Sequence, residues 1–288
     1  MVEHLQADVL KANISETFNL ELDVVVHTSI DSTSNWALQQ CRAGKVLPFV
    51  CFAENQTSGK GRRGKQWLMS AYSNIAMSLS WPYVLSGQQL QLLPLTVALA
   101  VAKTLENLNL EHVQIKWPND VYVRGKKIAG ILIETRPIKQ KLSDGGSEDS
   151  SQTAVVIGVG LNYDMSSSGT ITGSEGTQML PDLTDIKHEI AGQEVEPQPG
   201  RKSVASLLLQ NVVSACRGFQ QDSVQNLEEF RTRYDYCKNK TVEIFPDNQD
   251  ALTGVAQGVN DSAELLVLVD GKMRVFNSAE VSVKAETR

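Results

Sequence analysis

Short apolar runs with the spacing of strands dominate the first eighty residues of the chain. Residues 24–27, 49–53 and 74–81 are rich in β-branched and other apolar side chains, which predicts three strands. The polar segment 31–35 contains helix-capping residues and predicts the start of a helix over 36–41. Leu and Ala recur at helical spacing over 90–107, which predicts a helix with its apolar face in the core.

The middle of the chain predicts a meandering, antiparallel-rich sheet with short connections. Its strands are expected at residues 113–117, 121–123, 127–134 and 154–161. Arg124-Gly125 is typical of a tight turn between two of these strands. The Ser- and Gly-rich segments 139–152 and 166–176 are expected to be mobile loops within one domain.

Two helices and a small β-barrel are predicted for the remainder. Helical periodicity covers residues 204–219 and 224–234. From residue 239 onward, short apolar runs alternate with Asn, Asp and Gly turn residues, which is typical of a small barrel of roughly 50 residues. We therefore expect two domains, residues 1–236 and residues 237–288.

Composition and charge narrow the class of protein. The 288 residues carry 27 Lys and Arg against 33 Asp and Glu, so there is no global positive field that would attract nucleic acid. The longest apolar stretch, 92–102, is far shorter than the roughly 20 residues of a membrane span, and residues 1–12 carry no targeting signal. The amphipathic stretch 9–22 is too short for a DNA-binding helix-turn-helix domain.

The cysteines indicate a reducing compartment. None of them has the paired spacing of a zinc site or of a disulfide framework, which predicts reduced thiols and a cytoplasmic protein. The four residues are Cys41, Cys51, Cys216 and Cys237.

A glycine- and arginine-rich segment, residues 59–67, is the densest candidate for chemistry. It does not open a dinucleotide-binding unit, because no acidic residue stands between Trp67 and Leu105. It is not a phosphate-binding P-loop either, because Gln66 occupies the position of the required hydroxyl. Four cations in six residues, with glycines that allow close backbone approach, predict a flexible loop that wraps a polyanion. Alone, the same run would be a solvated basic turn.

A second candidate is the lysine of the segment 115–120. Lys116 lies in an apolar strand beside Trp117, and Pro118 ends the strand. Such a lysine requires an anionic partner, unless it lies on an edge strand and extends to solvent.

Together, these segments closely resemble the biotin protein ligases, also called holocarboxylase synthetases. The matching pieces, in the family's order, are Asp31-Ser32-Thr33, residues 56–67, Lys116-Trp117-Pro118-Asn119-Asp120, residues 127–132 and Gly158-Val159-Gly160-Leu161-Asn162. The resemblance covers about residues 24–165, and more loosely the C-terminal barrel. It implies an α+β fold of the class II synthetase type: a mixed, largely antiparallel sheet flanked by helices, followed by an SH3-like barrel. It also implies the ligase-only class, without an N-terminal DNA-binding domain.

The resemblance implies a two-step reaction. Biotin is activated by ATP and Mg²⁺ to biotinoyl-5'-AMP, and the acyl group is then transferred to a lysine of a biotin carboxyl carrier domain of a carboxylase. DNA and membranes are not implied as partners. The sequence leaves open whether the chain forms a homodimer through its sheet edge.

Site residues follow from the same resemblance. Lys116 and Arg62 are implied as catalytic, with Lys116 between the biotin carboxylate and the α-phosphate. Biotin-binding positions are Ser32, Thr33, Gln56, Gly59, Lys60, Gly61, Arg62, Lys116, Gly130 and Ile131. ATP-binding positions are Arg62, Arg63, Trp67, Lys116, Asn119 and Asn162. Asp120 is implied as a ligand of magnesium.

Several of these residues have plainer interpretations when each is considered alone. Trp67 and Trp117 are typical core aromatics, Ser32 is a typical helix cap, and Asn162 is a typical turn residue. Two positions depart from the family pattern: Lys60 replaces the usual arginine, and Ser34 replaces a common asparagine.

Two other functions stay open at this level. A lipoate- or octanoate-ligase-like enzyme would share the fold and the carrier chemistry, although the segment 59–64 favours biotin. A non-catalytic module whose barrel binds protein or RNA, and whose loop only contacts phosphate, is the alternative from a different class.

Overall fold

The computed structural model describes residues 3–85, 89–138, 152–166, 171–173, 176–178, 183–191, 198–246, 250–277 and 281–285. None of the helices in these ranges combines the length and the apolar character that a membrane span requires. The four cysteines are free and buried, as the prediction of reduced thiols requires.

A seven-stranded mixed sheet forms the centre of the molecule. Its strands are β1 (Asp23–His27), β2 (Phe49–Ala53), β3 (Asn74–Tyr83), β4 (Val113–Lys116), β5 (Asp120–Val123), β6 (Lys126–Ile138) and β7 (Gln152–Asn162). Their spatial order is β1-β2-β3-β7-β6-β5-β4, and only the β1–β2 pair is parallel. The prediction of a mixed, largely antiparallel sheet is confirmed.

Two small strands occupy part of a segment in which composition predicts a loop. They are β8 (Ile171–Gly173) and β9 (Gly176–Gln178), which pair as an antiparallel hairpin. The prediction of a loop over 166–176 is therefore wrong for these residues. In the other predicted loop, residues 139–151 lie outside the described residues, and Gln152 begins β7.

Within the described ranges, five helices pack against the central sheet, more of them on one face than on the other. They are α1 (Ala7–Phe18), α2 (Thr33–Arg42), α3 (Leu93–Asn107), α4 (Ile186–Ile190) and α5 (Arg201–Glu229). Helices α1, α3 and α5 share the main hydrophobic core with one face, whereas α2 packs on the other face. The two helices predicted over 204–234 are one helix, which continues as a π-helical turn to Tyr234. Helix α4 was not predicted, because it has only one and a half turns.

Strand alternation decides which side chains enter the core. In β3, Ile75, Met77 and Leu79 belong to the main core. Because successive side chains of a strand point to opposite faces, Ala76 and Ser78 point to the side of α2. Small and hydroxyl-bearing residues on that side leave room for a cavity.

The C-terminal residues form a separate antiparallel sheet. Its strands are β10 (Thr241–Pro246), β11 (Leu252–Val259), β12 (Leu265–Val269), β13 (Lys272–Phe276) and β14 (Val281–Ala285), in the order β13-β12-β11-β10-β14. It is joined to the central sheet near β4: the Trp117 indole Nε1 donates to the Ala263 carbonyl at 2.8 Å, and the Tyr236 amide donates to Ile115 at 3.0 Å. Trp117 is thus a core residue, which is the plainer of its two interpretations.

A buried ion pair connects the end of β2, the start of β3 and the start of α5. Arg201, at the start of α5, pairs with Glu54, which follows β2, and both side chains are almost completely buried. Arg201 also donates to the Asn74 carbonyl at 3.0 Å, at the start of β3. Glu54 accepts the Leu5 amide at 2.7 Å. This pair therefore fixes both ends of the segment 54–74.

We predict that Arg201→Met lowers the free energy of unfolding by about 3–5 kcal/mol, because it leaves the Glu54 carboxylate buried without its charge partner. Lys103→Met is the matched control: the Lys103 ammonium lies 2.8 Å from Glu229, but its side chain is 44% exposed. That control should cost no more than about 1 kcal/mol. Urea unfolding measures the free energy of unfolding of both variants. Equal decreases would show that the buried ion pair stabilises the protein no more than the exposed one.

Candidate functional site

The floor of the site is a row of small residues that face each other across neighbouring strands. Gly130 of β6 lies opposite Gly160 of β7, and Gly160 lies opposite Ala76 of β3. A Cβ atom at Gly160 would lie 2.3 Å from the Trp67 ring, and one at Gly130 would lie 3.0 Å from it. The indole of Trp67 therefore packs on bare backbone, and side chains at these two positions would displace it.

The segment that carries Trp67 is a closed turn, which we name the basic hairpin (residues 59–67). The Trp67 amide donates to the Gly59 carbonyl at 2.9 Å, and the Gly61 amide donates to Lys65 at 2.7 Å. A short 3₁₀ turn at Arg62–Gly64 forms its tip. The sequence predicts a flexible loop here, whereas the structure has a hairpin that is hydrogen-bonded to itself and seated on the sheet.

A cavity of about 200 Å³ lies between the basic hairpin, the start of α2 and the glycine floor. Most of the predicted site residues line it: Thr33, Gln56, Lys60, Gly61, Arg62, Arg63, Trp67, Asn119, Asp120, Gly130 and Ile131. Four others, which are described but are not among the lining residues, are Ser32, Gly59, Lys116 and Asn162.

One end of the cavity is polar but uncharged. The Gln56 side-chain carbonyl accepts the Thr33 amide at 2.8 Å and the Thr33 hydroxyl at 3.1 Å. The Ser78 hydroxyl donates to Thr33 Oγ1 at 2.8 Å and lies 3.2 Å from the Ser34 hydroxyl. This cluster offers hydroxyl and amide groups to a neutral ligand with both donors and acceptors. Ser78 was missed in the sequence, although the alternation of β3 places it on this face.

The other end of the cavity is charged. Arg62 Nη1 donates to the Asn119 side-chain carbonyl at 3.0 Å, and the Asn119 amide donates to Asp120 at 3.3 Å. The Lys127 ammonium lies 2.8 Å from the same Asp120 carboxylate. Burial lowers the pKa of Arg62, and the Asp120 charge opposes that shift, so the guanidinium keeps its charge at neutral pH. The guanidinium of Arg62 and the ammonium of Lys127 thus both lie near the carboxylate of Asp120.

Lys127 is a cavity residue to which the sequence assigned no role. Its position three residues before Gly130 would place it on the opposite face of a regular strand. The register between β5 and β6 shifts at this point, so that Lys127 lies opposite Tyr122 while Ala129 lies opposite Val121. This bulge turns the Lys127 side chain toward the cavity, where its ammonium lies 5.7 Å from the Trp67 ring centroid.

Lys116 lies beside the cavity rather than in its wall. It is directly opposite Asp120 in the β4–β5 register, so both side chains point to the same face. Its ammonium donates to the Tyr122 hydroxyl at 3.4 Å. The basic hairpin and Lys116 therefore lie on the same face of the sheet. In the cavity wall, however, the cation paired with Asp120 is Lys127.

The remaining predicted residues have local structural partners. The Ser32 hydroxyl accepts the Asn35 amide at 3.4 Å and caps α2, which is its plainer interpretation. Asn162 follows Gly160 by two residues on the same face, and its amide donates to the Thr184 carbonyl at 3.1 Å. At Gly59, a Cβ atom would lie 2.4 Å from the Trp67 carbonyl oxygen, so glycine is needed to close the hairpin.

Comparisons with known proteins point to one family. Residues 26–148 match the model of the Biotin/lipoate A/B protein ligase family. The bifunctional ligase/repressor BirA of Escherichia coli (strain K12) is 27% identical over 263 residues, which cover 91% of this chain and 74% of that protein. The biotin–acetyl-CoA-carboxylase ligase of Mycobacterium tuberculosis is 28% identical, with 91% and 88% covered.

Solved structures show the same fold. The biotin protein ligase of Aquifex aeolicus in complex with biotin and ATP superposes with a TM-score of 0.66 at 23% identity, covering 92% of this chain and 99% of that one. The Leishmania major biotin protein ligase in complex with biotinyl-5-AMP has a TM-score of 0.55 at 22% identity, with 89% and 98% covered.

We predict that Gly160→Ala destabilises the protein by about 1–3 kcal/mol, because the new methyl group displaces the Trp67 ring from the floor. Gly218→Ala is the matched control. Its Cβ would also lie 2.3 Å from another atom, but that atom is a carboxylate oxygen of Asp222, an exposed and adaptable side chain. Alanine is favoured in a helix, so the control should be neutral or stabilising. Urea unfolding with tryptophan fluorescence as the probe separates the two, and equal effects would contradict close packing at Gly160.

Proposed function

We infer that this chain, whose residues 26–148 match the model of the biotin/lipoate A/B protein ligase family, is an ATP-dependent biotin protein ligase. It activates biotin as biotinoyl-5'-AMP and transfers the acyl group to a lysine of a biotin carboxyl carrier domain. The observation that carries this proposal is the shape of the cavity, which has a neutral polar end and a cationic end above a glycine floor.

The polar end suits the head of biotin. A ureido group has two N–H donors and one carbonyl acceptor, and it carries no charge. The amides and hydroxyls of Thr33, Ser34 and Gln56, which line this end of the cavity, can satisfy both kinds of group. The neighbouring backbone at Gly130 allows the ring system to approach the sheet closely, because no side chain intervenes.

The charged end suits the reacting groups. A biotin carboxylate and an α-phosphate about 4 Å apart repel by roughly 4 kcal/mol at an effective dielectric constant of about 20. Arg62 and Lys127 offset this repulsion while the carboxylate oxygen forms its bond to phosphorus and pyrophosphate leaves. The amine of the carrier lysine then attacks the acyl carbon of the mixed anhydride, and AMP leaves.

Lys127 is a better candidate than Lys116 for the cation between the two anions. Lys127 lines the cavity and has a single carboxylate partner there, Asp120. The Lys116 ammonium is directed to Tyr122, outside the cavity wall. We therefore assign the role that the resemblance gave to Lys116 to Lys127, and we retain Lys116 as a neighbouring charge.

The residues around Asp120 fit a magnesium ion that is shared with phosphate. Asp120 is the only carboxylate among the described residues that line the cavity, and the side-chain amide nitrogen of Asn119 donates to it at 3.3 Å. Magnesium commonly takes one or two carboxylates and completes its shell with water and phosphate oxygens. When bound, the ion screens the charge of the leaving pyrophosphate.

Adenine binding is proposed for Trp67 and Asn162, with Arg63 near the phosphates. The Trp67 indole nitrogen is buried and lacks a hydrogen-bond partner within the described part of the chain. Asn162 is held by Thr184 on the same face as the floor. The four buried thiols support a reducing, cytoplasmic location for this enzyme.

The direct test is a reaction of the purified chain with ATP, magnesium, biotin and a biotin carboxyl carrier domain. We expect a mass gain of one biotinoyl group on the carrier and release of pyrophosphate. Lipoate and octanoate in place of biotin test the second enzyme function. Release of pyrophosphate with neither biotin nor a related acid would leave a binding module as the better description.

We predict that Lys127→Met lowers the rate of biotin-dependent pyrophosphate release by about 10²- to 10³-fold, because it removes a charge that stabilises the transition state. Lys116→Met is the control within the same charged region. The fold decrease in rate that it causes should be at least ten times smaller than that of Lys127→Met, which corresponds to a difference of about 1.4 kcal/mol between the two activation barriers. Steady-state kinetics of both variants measure this order. A larger loss for Lys116→Met would return the catalytic role to Lys116.

A further inference from the structure

Two side chains of the basic hairpin attach it to the central sheet. Arg62 donates to the Asn119 side-chain carbonyl at the charged end of the cavity. The Lys60 ammonium lies 3.6 Å from Oε1 of Glu134, a residue of β6 that is not part of the cavity wall. Glu134 lies on β6 four residues after Gly130, so strand alternation places it on the cavity face. Lys60 also pairs across the hairpin with Gln66, so its position reports that of the whole hairpin.

The carboxylate of Glu134 is incompletely satisfied. Its second oxygen, Oε2, is buried and has no hydrogen-bond partner among the described residues. A lysine offers a single point of charge, whereas an arginine offers a planar fork that can bind both carboxylate oxygens. The Lys60–Glu134 contact is therefore weaker than the contact that an arginine could make at the same place.

We propose that the Lys60–Glu134 ion pair is a latch that sets how long the basic hairpin stays closed over the acyl-adenylate, with Glu134 as a positioning residue. This inference rests on the proposed function. A mixed anhydride must be shielded from water until the carrier lysine arrives, and the hairpin must then open. A one-point latch beside an unpaired carboxylate oxygen holds the hairpin while allowing it to open readily.

The first test needs no ligand. An arginine-specific protease cleaves the hairpin after Arg62 or Arg63 when it opens, and mass spectrometry identifies these two cuts. Glu134→Gln and Lys60→Met should each speed this cleavage about two- to fivefold, the scale of one partly exposed ion pair. The double variant should be no faster than either single variant, and Lys60→Arg should be slower than wild type.

Lys103→Met serves as the matched control, since it breaks an ion pair of similar exposure between α3 and α5. It should leave hairpin cleavage unchanged. Wild-type rates in both Glu134→Gln and Lys60→Met would overturn the latch. Additive effects in the double variant would also overturn it, because they would show that the two residues act independently.

The second test measures retention of the intermediate. Enzyme loaded with labelled biotin and ATP is separated from free ligand, and the remaining adenylate is followed after a chase with unlabelled biotin. Glu134→Gln should shorten the lifetime about two- to fivefold, while its rate of adenylate formation changes by less than about twofold. Lys60→Arg should lengthen the lifetime of the bound adenylate.

The outcomes of the two tests are separable. Equal lifetimes in wild type, Glu134→Gln and Lys60→Arg would refute the latch even if cleavage changes. A parallel loss of formation and retention would indicate a merely structural role for Glu134 and would also refute it. If wild type forms no adenylate, the proposed function fails, and hairpin cleavage alone decides whether Lys60 and Glu134 hold the hairpin.

Discussion

The structure depends on the absence of side chains at two neighbouring positions of the central sheet. Gly130 and Gly160 face each other across β6 and β7, and the Trp67 indole packs directly on their backbone. Because this ring ends the basic hairpin, its seat on the sheet determines where the hairpin cations lie. The buried pair of Glu54 and Arg201 fixes the two ends of the same segment. The cavity exists because a large ring meets a floor without side chains.

The charged groups of the cavity are held in positions that suit an anionic ligand. Asp120 and Asn119 hold Lys127 and Arg62 in place before any ligand binds. These contacts reduce the repulsion between the two cations and lower the entropy that must be lost when phosphate arrives. At the neutral end, by contrast, Thr33 and Gln56 hydrogen-bond to each other, so a bound head group must exchange one set of bonds for another. One cavity thus combines a neutral, hydrogen-bonding end with a cationic end.

Most elements of the fold could be predicted from the sequence because their periodicity is strong and uninterrupted. The strands from β1 to β7 and helix α3 fall close to the predicted residues. The position of Lys127 in the cavity wall could not be predicted, since it depends on a bulge in β6 that local alternation does not reveal. The closed basic hairpin depends on Trp67 meeting Gly160, ninety-three positions later in the chain, and such long-range packing leaves no local signal. The contact of Lys116 with Tyr122 likewise depends on side-chain packing that the motif around Lys116 does not reveal.

A crystal structure of the chain with a non-hydrolysable analogue of biotinoyl-5'-AMP tests the central claim most directly. We expect the fused rings of biotin beside Thr33 and Gln56, the phosphate mimic within hydrogen-bond distance of Arg62 and Lys127, and the basic hairpin closed above them. A ligand bound away from the glycine floor, or a phosphate mimic that contacts Lys116 while Lys127 stays paired with Asp120, would contradict it.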